Sequence, residues 1–525
     1  MYDVLIRHGT VIDGTGKPRF QADVGIDGDR IAAVGDLAKQ KGAIEIDASG
    51  MVVAPGFVDV LSHADTYWTL IPNPLSESLL RQGITTIIGG NCGASIAPLI
   101  SGDAILSIQK WANVSEANVN WATMGEFLAE LQKRLLGVNF GTLVGHSTLR
   151  RGMLHDEFRA ATRDELAKMR YTLRQALEEG ALGFSTGLAY SHAKVATSEE
   201  VSALVEEVER VGGVWASHIR GEAEELLPAV NETIQIARES GAAVEISHFK
   251  AMGKAHWPNF ASAVKMVENA REDGLNITFD CYPYTITGSV LYTVLPDWVE
   301  EGGRRELVKR LKDPSVRIKV MEEMRKVRYY EYENVRVAMS TADPAFAGKT
   351  IARIAREQGV SGEEAIMNML LAAEGRVVSF MDTLSEENVE AALKHPLSFV
   401  ASDGAGYRES DEKKGFLVHP RSFGAFPRFL GRYVREEKLL TWEEGIRKIT
   451  AGPAAKYKLA GRGMLQKRYY ADIVVFDPET IRDRATFENP FQYPEGIQAV
   501  VVNGKIAVAG GETTGAAAGT VLKRR

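Results

Sequence analysis

The sequence predicts an α/β protein: a (β/α)8 TIM-like barrel over residues 55–458, with a small β-sandwich domain formed by both chain termini (1–54 and 459–525). Three observations predict it: eight short apolar runs that each end in a polar residue, amphipathic helices between them, and strand texture without helices at the two ends. Strands alternating with helices are the mark of βα units around a parallel sheet, and eight such units close most economically as a barrel.

Taken in order, DVLIRHGTVIDG and ADVGIDGDRIAAVGD read as N-terminal strands, with Asp27-Gly28 suited to a tight hairpin. At the far end ADIVVFDPETI reads as a buried strand and AVVVNGKIAVAGG as a hairpin about Asn503-Gly504. Chain ends usually lie at the surface and often close together, so the two β-rich ends are expected to build one domain. The eight central runs end at His63, Cys92, His146, Ser185-Thr186, His218, His248, Asp280 and Asp403. Between them, ATMGEFLAELQKRLL and RDELAKMRYTLRQALEEG place apolar residues three and four apart, and TSEEVSALVEEVERVG opens with a Thr197-to-Glu200 capping box. Asp280 and Asp403 are about 120 residues apart, too far for an ordinary βα connection, so an insertion at about 285–345 is expected between strands 7 and 8.

Composition narrows the function. A formal charge of -7 over 525 residues, without an internal basic block, argues against nucleic-acid binding. No run of about 18 uncharged apolar residues marks a membrane span, and MYDVLIRHGTVIDG lacks the apolar stretch of a secretory leader, so the expected location is cytoplasmic. Two cysteines, Cys92 and Cys281, exclude a disulfide framework. GTGK is no phosphate loop, because Val11 stands at its required first glycine and Pro18 follows the lysine.

Barrels carry their chemistry at the carboxyl ends of the strands, which is where the histidines, Cys92 and the acids fall. One histidine alone is more often structural than a ligand. A thiolate and two imidazoles on one rim, from Cys92, His218 and His248, form a ligand set for Zn²⁺ that leaves a fourth position open. Asp403, at the last strand end, is the candidate base for a water acidified by such a metal. His146 suits loop orientation as well as chemistry, Asp280 suits support of a histidine or a backbone amide, and Cys281, one residue out of step, faces away from the barrel interior. If PGFVDVLSHAD stays extended, Leu61, His63 and Asp65 share a face.

With these residues identified, the chain resembles the N-acyl-D-amino-acid deacylases, or D-aminoacylases, of the amidohydrolase superfamily. The resemblance runs essentially end to end through PGFVDVLSHAD, GNCGASIAP, LVGHSTLRRGML, GALGFSTGLAY, ASHIRGE, EISHFKAMG, YPYT, VASDG and HPRSFGAFPRFLGRYV. It implies zinc-dependent hydrolysis of a small-molecule N-acyl-D-amino acid, with one tight metal on Cys92, His218 and His248 and Asp403 as acid/base. It also implies that His63 belongs to a second, weaker metal position, that Lys250, Tyr282 and Tyr190 help bind substrate, and that Arg421 pairs with the substrate carboxylate. Two departures stand out. The family's His-x-His at the first strand end reads Leu61-Ser62-His63, which removes a ligand, and SHAKVAT after GLAY brings His192 and Lys194 toward the pocket. Another N-acyl or cyclic amide substrate, and a non-catalytic metal-binding homologue, are the alternative readings.

Overall fold

The computed structural model describes residues 1–107, 119–327 and 329–524. Eight strands lie parallel in chain order: Phe57–Asp59, Ile84–Gly89, Asn139–Gly145, Gly183–Gly187, Val214–His218, Ala243–Ile246, Ile277–Cys281 and Ser398–Val400. The seam between the first and last is closed just beyond both: Asp403 N–H donates to the Leu61 carbonyl at 2.9 Å and His63 N–H to the Gly404 carbonyl at 2.7 Å. Barrel closure therefore brings His63 and Asp403 side by side.

The strands are largely apolar because both faces are buried. Val214 and Ala216 pack inside the barrel with Ile88, Leu143 and Phe399, while Trp215 between them packs outward among the helices. His218 continues the inward parity. Cys281 packs outward, as its register predicts, and is fully enclosed.

Strands of both termini hydrogen-bond into one nine-stranded sheet, and the expected sandwich takes the form of that single sheet sharing one core. Val4 and Ile26 from the first end lie in that core with Ile473 and Val501 from the other. In strands Val52–Pro55, Ile473–Phe476 and Ile497–Val502 the alternate residues Val52, Val474 and Val500 belong to the barrel core instead. One face of the sheet closes on itself and the other docks on the barrel, which explains why these segments read as continuous apolar runs.

The insertion is larger than the expected 285–345. Ile286–Val290 and Val335–Ser340 flank a middle strand, Val377–Asp382, in an antiparallel sheet, so the unit is incomplete until residue 382. Helices Ile351–Gln358 and Gly362–Ala372 have the pattern of barrel helices, but Ile354 and Leu370 pack with Leu307, Val320 and Val377 in the insertion's own core. No helix among the described residues is long and apolar enough to cross a membrane.

Candidate metal centre

Cys92, His218 and His248 converge at the carboxyl rim, with one ligand atom from each within 4.8 Å of the others. Cys92 Sγ lies 3.4 Å from His248 Nε2, and the two imidazole rings stand edge to face with centroids 4.4 Å apart. His248 reaches this position by breaking the strand's alternation. Val244 and Ile246 face outward and would carry residue 248 with them, but a φ of +36° turns it inward. Cys92 and Asp403 also hold left-handed backbones, at +51° and +47°. Such conformations cost non-glycine residues about 1–3 kcal/mol each and persist where the surroundings impose them.

The surroundings fit a cation. His218 Nδ1 is buried without a hydrogen-bond partner, and burial, only partly offset by Glu222, pushes that imidazole well below its ordinary pKa, so it is neutral with a lone pair to give. His248 Nδ1 lies 3.2 Å from Glu222 Oε1; the tautomer that donates there leaves Nε2 as a lone-pair donor beside the thiol. Burial pushes Glu222 up but Lys250, His218 and His248 outweigh it, and it stays ionised. Sequence reasoning gave Glu222 no role, although it follows His218 by four residues within ASHIRGE.

His63, Cys92 and Asp403 form a second, overlapping group of possible ligands, sharing the thiol. His63 Nε2 lies 3.0 Å from Asp403 Oδ1, its Nδ1 is 3.0 Å from Thr66 Oγ1, and its ring stacks on Tyr67 at 5.1 Å. Leu61 supplies no ligand. It is fully buried in the barrel interior with Val58 and Val60. Nor does Asp65 share the site, because the chain turns at His63: Tyr67 N–H donates to its carbonyl, and Asp65 accepts from Gly90 N–H at 2.8 Å. Burial raises Asp65 to about 6.

Asp403 is 5% exposed and its other oxygen lies 2.7 Å from Arg421 Nη1. Burial pushes this carboxyl up; Arg421 and the His63 hydrogen bond overcome that and hold it well below the usual range, ionised at neutral pH. The Arg421 contact is an ion pair without hydrogen-bond alignment, and Arg421 Nε is buried with no partner. Its guanidinium sits 4.7 Å from the Tyr282 ring centroid. A fully buried arginine with unmet donors, facing a cavity, is built to receive an anion.

The cavity measures about 360 Å³ and joins both ligand groups to Tyr190, Lys250, Tyr282 and Arg421 in one space. Tyr190 stands with its ring 5.1 Å from that of His218, and Lys250 Nζ reaches Glu222 at 2.5 Å. Lys194 also lines the cavity. His192 does not; it is buried, and its carbonyl accepts from Arg150 Nε. His146 is structural, fully buried with Nε2 2.8 Å from Glu200. Asp280 accepts the His248 backbone N–H at 2.8 Å and so helps set the turn that aims the ligand. The outer wall comes from the insertion, through Val294, Leu295, Met324 and Met381.

The sequence profile described as the amidohydrolase family matches residues 45–508. A D-aminoacylase of Alcaligenes xylosoxydans xylosoxydans is 35% identical over 525 residues, 100% of this chain and 98% of that protein. Two solved structures superpose over the whole chain. An N-acyl-D-glutamate deacylase from Bordetella bronchiseptica, complexed with zinc and a phosphonate that mimics the tetrahedral intermediate, gives a TM-score of 0.83 at 33% identity, covering 99% of both chains. A D-aminoacylase, whose binuclear metal centre is described by one-metal activation and second-metal attenuation, gives 0.86 at 33% identity, covering 100% of both. The likeness takes in the barrel, the insertion and the terminal sheet together, and the chain belongs to the amidohydrolase family.

Proposed function

We propose that this protein is a zinc-dependent N-acyl-D-amino-acid deacylase, hydrolysing the amide to a carboxylate and a free D-amino acid. The observation that carries the reading is the joint placement of a thiol, two imidazoles and an ionised carboxylate at one barrel rim, opposite a buried arginine with unmet donors. Relatives similar along the whole chain bear the same activity in their names, and one was solved with zinc. Cys92, His218 and His248 would hold the ion tightly. The second position keeps His63 and Asp403 besides the shared thiol, and Leu61 leaves it without a further imidazole, which favours a mononuclear enzyme.

A cation in that cradle supplies Lewis acidity toward an acyl carbonyl and toward water. The chain's own residues do the rest. Asp403, ionised and at the strand end, accepts a proton from the attacking water and returns it to the leaving nitrogen. Arg421 receives the α-carboxylate through the donors it does not spend on Asp403, with the Tyr282 ring holding its plane. Glu222 holds the His248 ring through Nδ1 and is itself paired with Lys250, so the ammonium steadies the ligand's partner while lining the substrate space. Tyr190 packs beside His218 and lines the same space.

Asp403→Asn tests the base assignment. Turnover of N-acetyl-D-methionine should fall by at least about a thousandfold while one zinc per chain is retained. Substantial remaining activity would reject the role given to Asp403.

A further inference from the structure

The relatives leave the preferred amino-acid side chain open, since similarity to a D-aminoacylase and to an N-acyl-D-glutamate deacylase is nearly equal. The charges on the cavity wall decide it. Four lysine and arginine side chains line the space: Lys194, Arg220, Lys250 and Arg421. Lys194, Arg220 and Lys250 already have partners within the protein. Arg220 spends every nitrogen, with Nε and Nη2 on Glu232 at 2.9 and 2.8 Å, Nη1 on the Lys194 carbonyl and Nη2 also on the Ala196 carbonyl. Lys250 gives its ammonium to Glu222 and the His248 carbonyl. Lys194 pairs with Asp297 at 2.5 Å, bridging the barrel to the insertion at the mouth of the cavity.

Arg421 alone of the four has a buried nitrogen without any partner. Of the lysines and arginines on the wall, Arg421 therefore keeps unspent buried donors for a carboxylate, and an N-acyl amino acid already brings one. An acidic side chain would bring a second, to a wall that holds five carboxylates of its own: Glu222, Glu224, Glu225, Asp297 and Asp403. Taking a charge out of water without a partner is strongly unfavourable. The insertion side of the wall adds no further charge beyond Asp297 and presents Val294, Leu295, Met324 and Met381, each at most 7% exposed, beside the hydroxyl residues Thr287, Ser289 and Thr293. Resting on the deacylase reading, we infer that this enzyme selects N-acyl-D-amino acids with uncharged, apolar side chains, and that engagement of Lys194 by Asp297 helps to exclude acidic ones.

Lys194 is the cation to release experimentally, because its side chain and that of Asp297 are 35% and 59% exposed and neither carries the barrel core. Zinc-loaded wild type and Asp297→Asn are to be compared on the N-acetyl derivatives of D-leucine, D-methionine, D-glutamate, D-aspartate and D-lysine. In the wild type, kcat/KM for D-leucine or D-methionine should exceed that for D-glutamate and D-aspartate by about 100-fold, the scale set by an unpaired buried charge. Asp297→Asn should raise the D-glutamate value about fivefold or more and leave D-leucine within about twofold, the scale of one partly exposed ion pair. A wild type that prefers an acidic or a basic side chain overturns the inference and leaves the deacylase reading standing, and an unchanged D-glutamate value in the variant overturns the role of Lys194. Failure to hydrolyse any of the five with zinc bound rejects the deacylase reading itself.

Discussion

Replacing Glu200 by glutamine should destabilise the barrel by about 2–3 kcal/mol at neutral pH. Glu200 is 3% exposed, its oxygens lie 2.5 and 2.6 Å from Arg150 Nη1, and His146 Nε2 approaches at 2.8 Å. Arg150, itself fully buried, carries the connection onward to the His192 and Arg159 carbonyls. Burial pushes the Glu200 carboxyl up, yet His146 and Arg150 together bring it down from 4.5 to about 2. At about 1.4 kcal/mol per tenfold change, that drop corresponds to about 3 kcal/mol. The lower end of the range is preferred because burial also pushes His146 below its ordinary pKa, so at pH 7 it contributes a hydrogen bond rather than a charge. Since the folded value lies below the unfolded one, the stabilisation is complete above 4.5 and disappears as pH falls through about 2. Urea denaturation of wild type and Glu200→Gln, handled alike at pH 7 and pH 3, measures the difference. It should shrink by about half at pH 3. A difference below about 0.5 kcal/mol at pH 7, or one that does not change with pH, would refute the reasoning.

Two further substitutions probe the site. Arg421→Lys keeps the charge but loses the planar fork and the buried Nε, so KM for an N-acyl-D-amino acid should rise about 10-fold or more, with a smaller fall in kcat; an unchanged KM would remove Arg421 from carboxylate binding. Leu61→His returns an imidazole to the second metal position, and metal analysis should move from about one ion per chain toward two, at a stability cost of about 1–3 kcal/mol for a polar ring in an apolar cluster. A ratio that stays at one would show that more than Leu61 keeps the second position from filling.

How much of this was legible in the chain differs from residue to residue. Alternation fixed the inward course of His218 and the outward course of Cys281, because strand geometry is local and has a period of two. His248 violates that period, and its left-handed turn, steadied by Asp280 from the neighbouring strand, has no sequence signature. The helices Ile351–Gln358 and Gly362–Ala372 lie beyond the expected end of the insertion, and whether their apolar stripes face the barrel or a separate core depends on a strand that arrives at residue 377. Thr197 and Glu200 show the same division. The threonine caps its helix as the motif predicts, accepting from Glu200 N–H, while the glutamate carboxylate turns to Arg150, 50 residues away in sequence.

By itself the sequence determined the elements, the rim on which the chemistry sits and the residue types able to perform it, since propensity, periodicity and ligand chemistry reside in the residues and their near neighbours. Only the tertiary structure decided which donors are already engaged: that Lys250, Arg220 and Lys194 are paired and Arg421 keeps an open nitrogen follows from contacts between segments far apart in the chain. Charge and hydrogen-bonding capacity are properties of a group together with its partners, and those partners are assigned by closure of the barrel and the return of the insertion over its mouth.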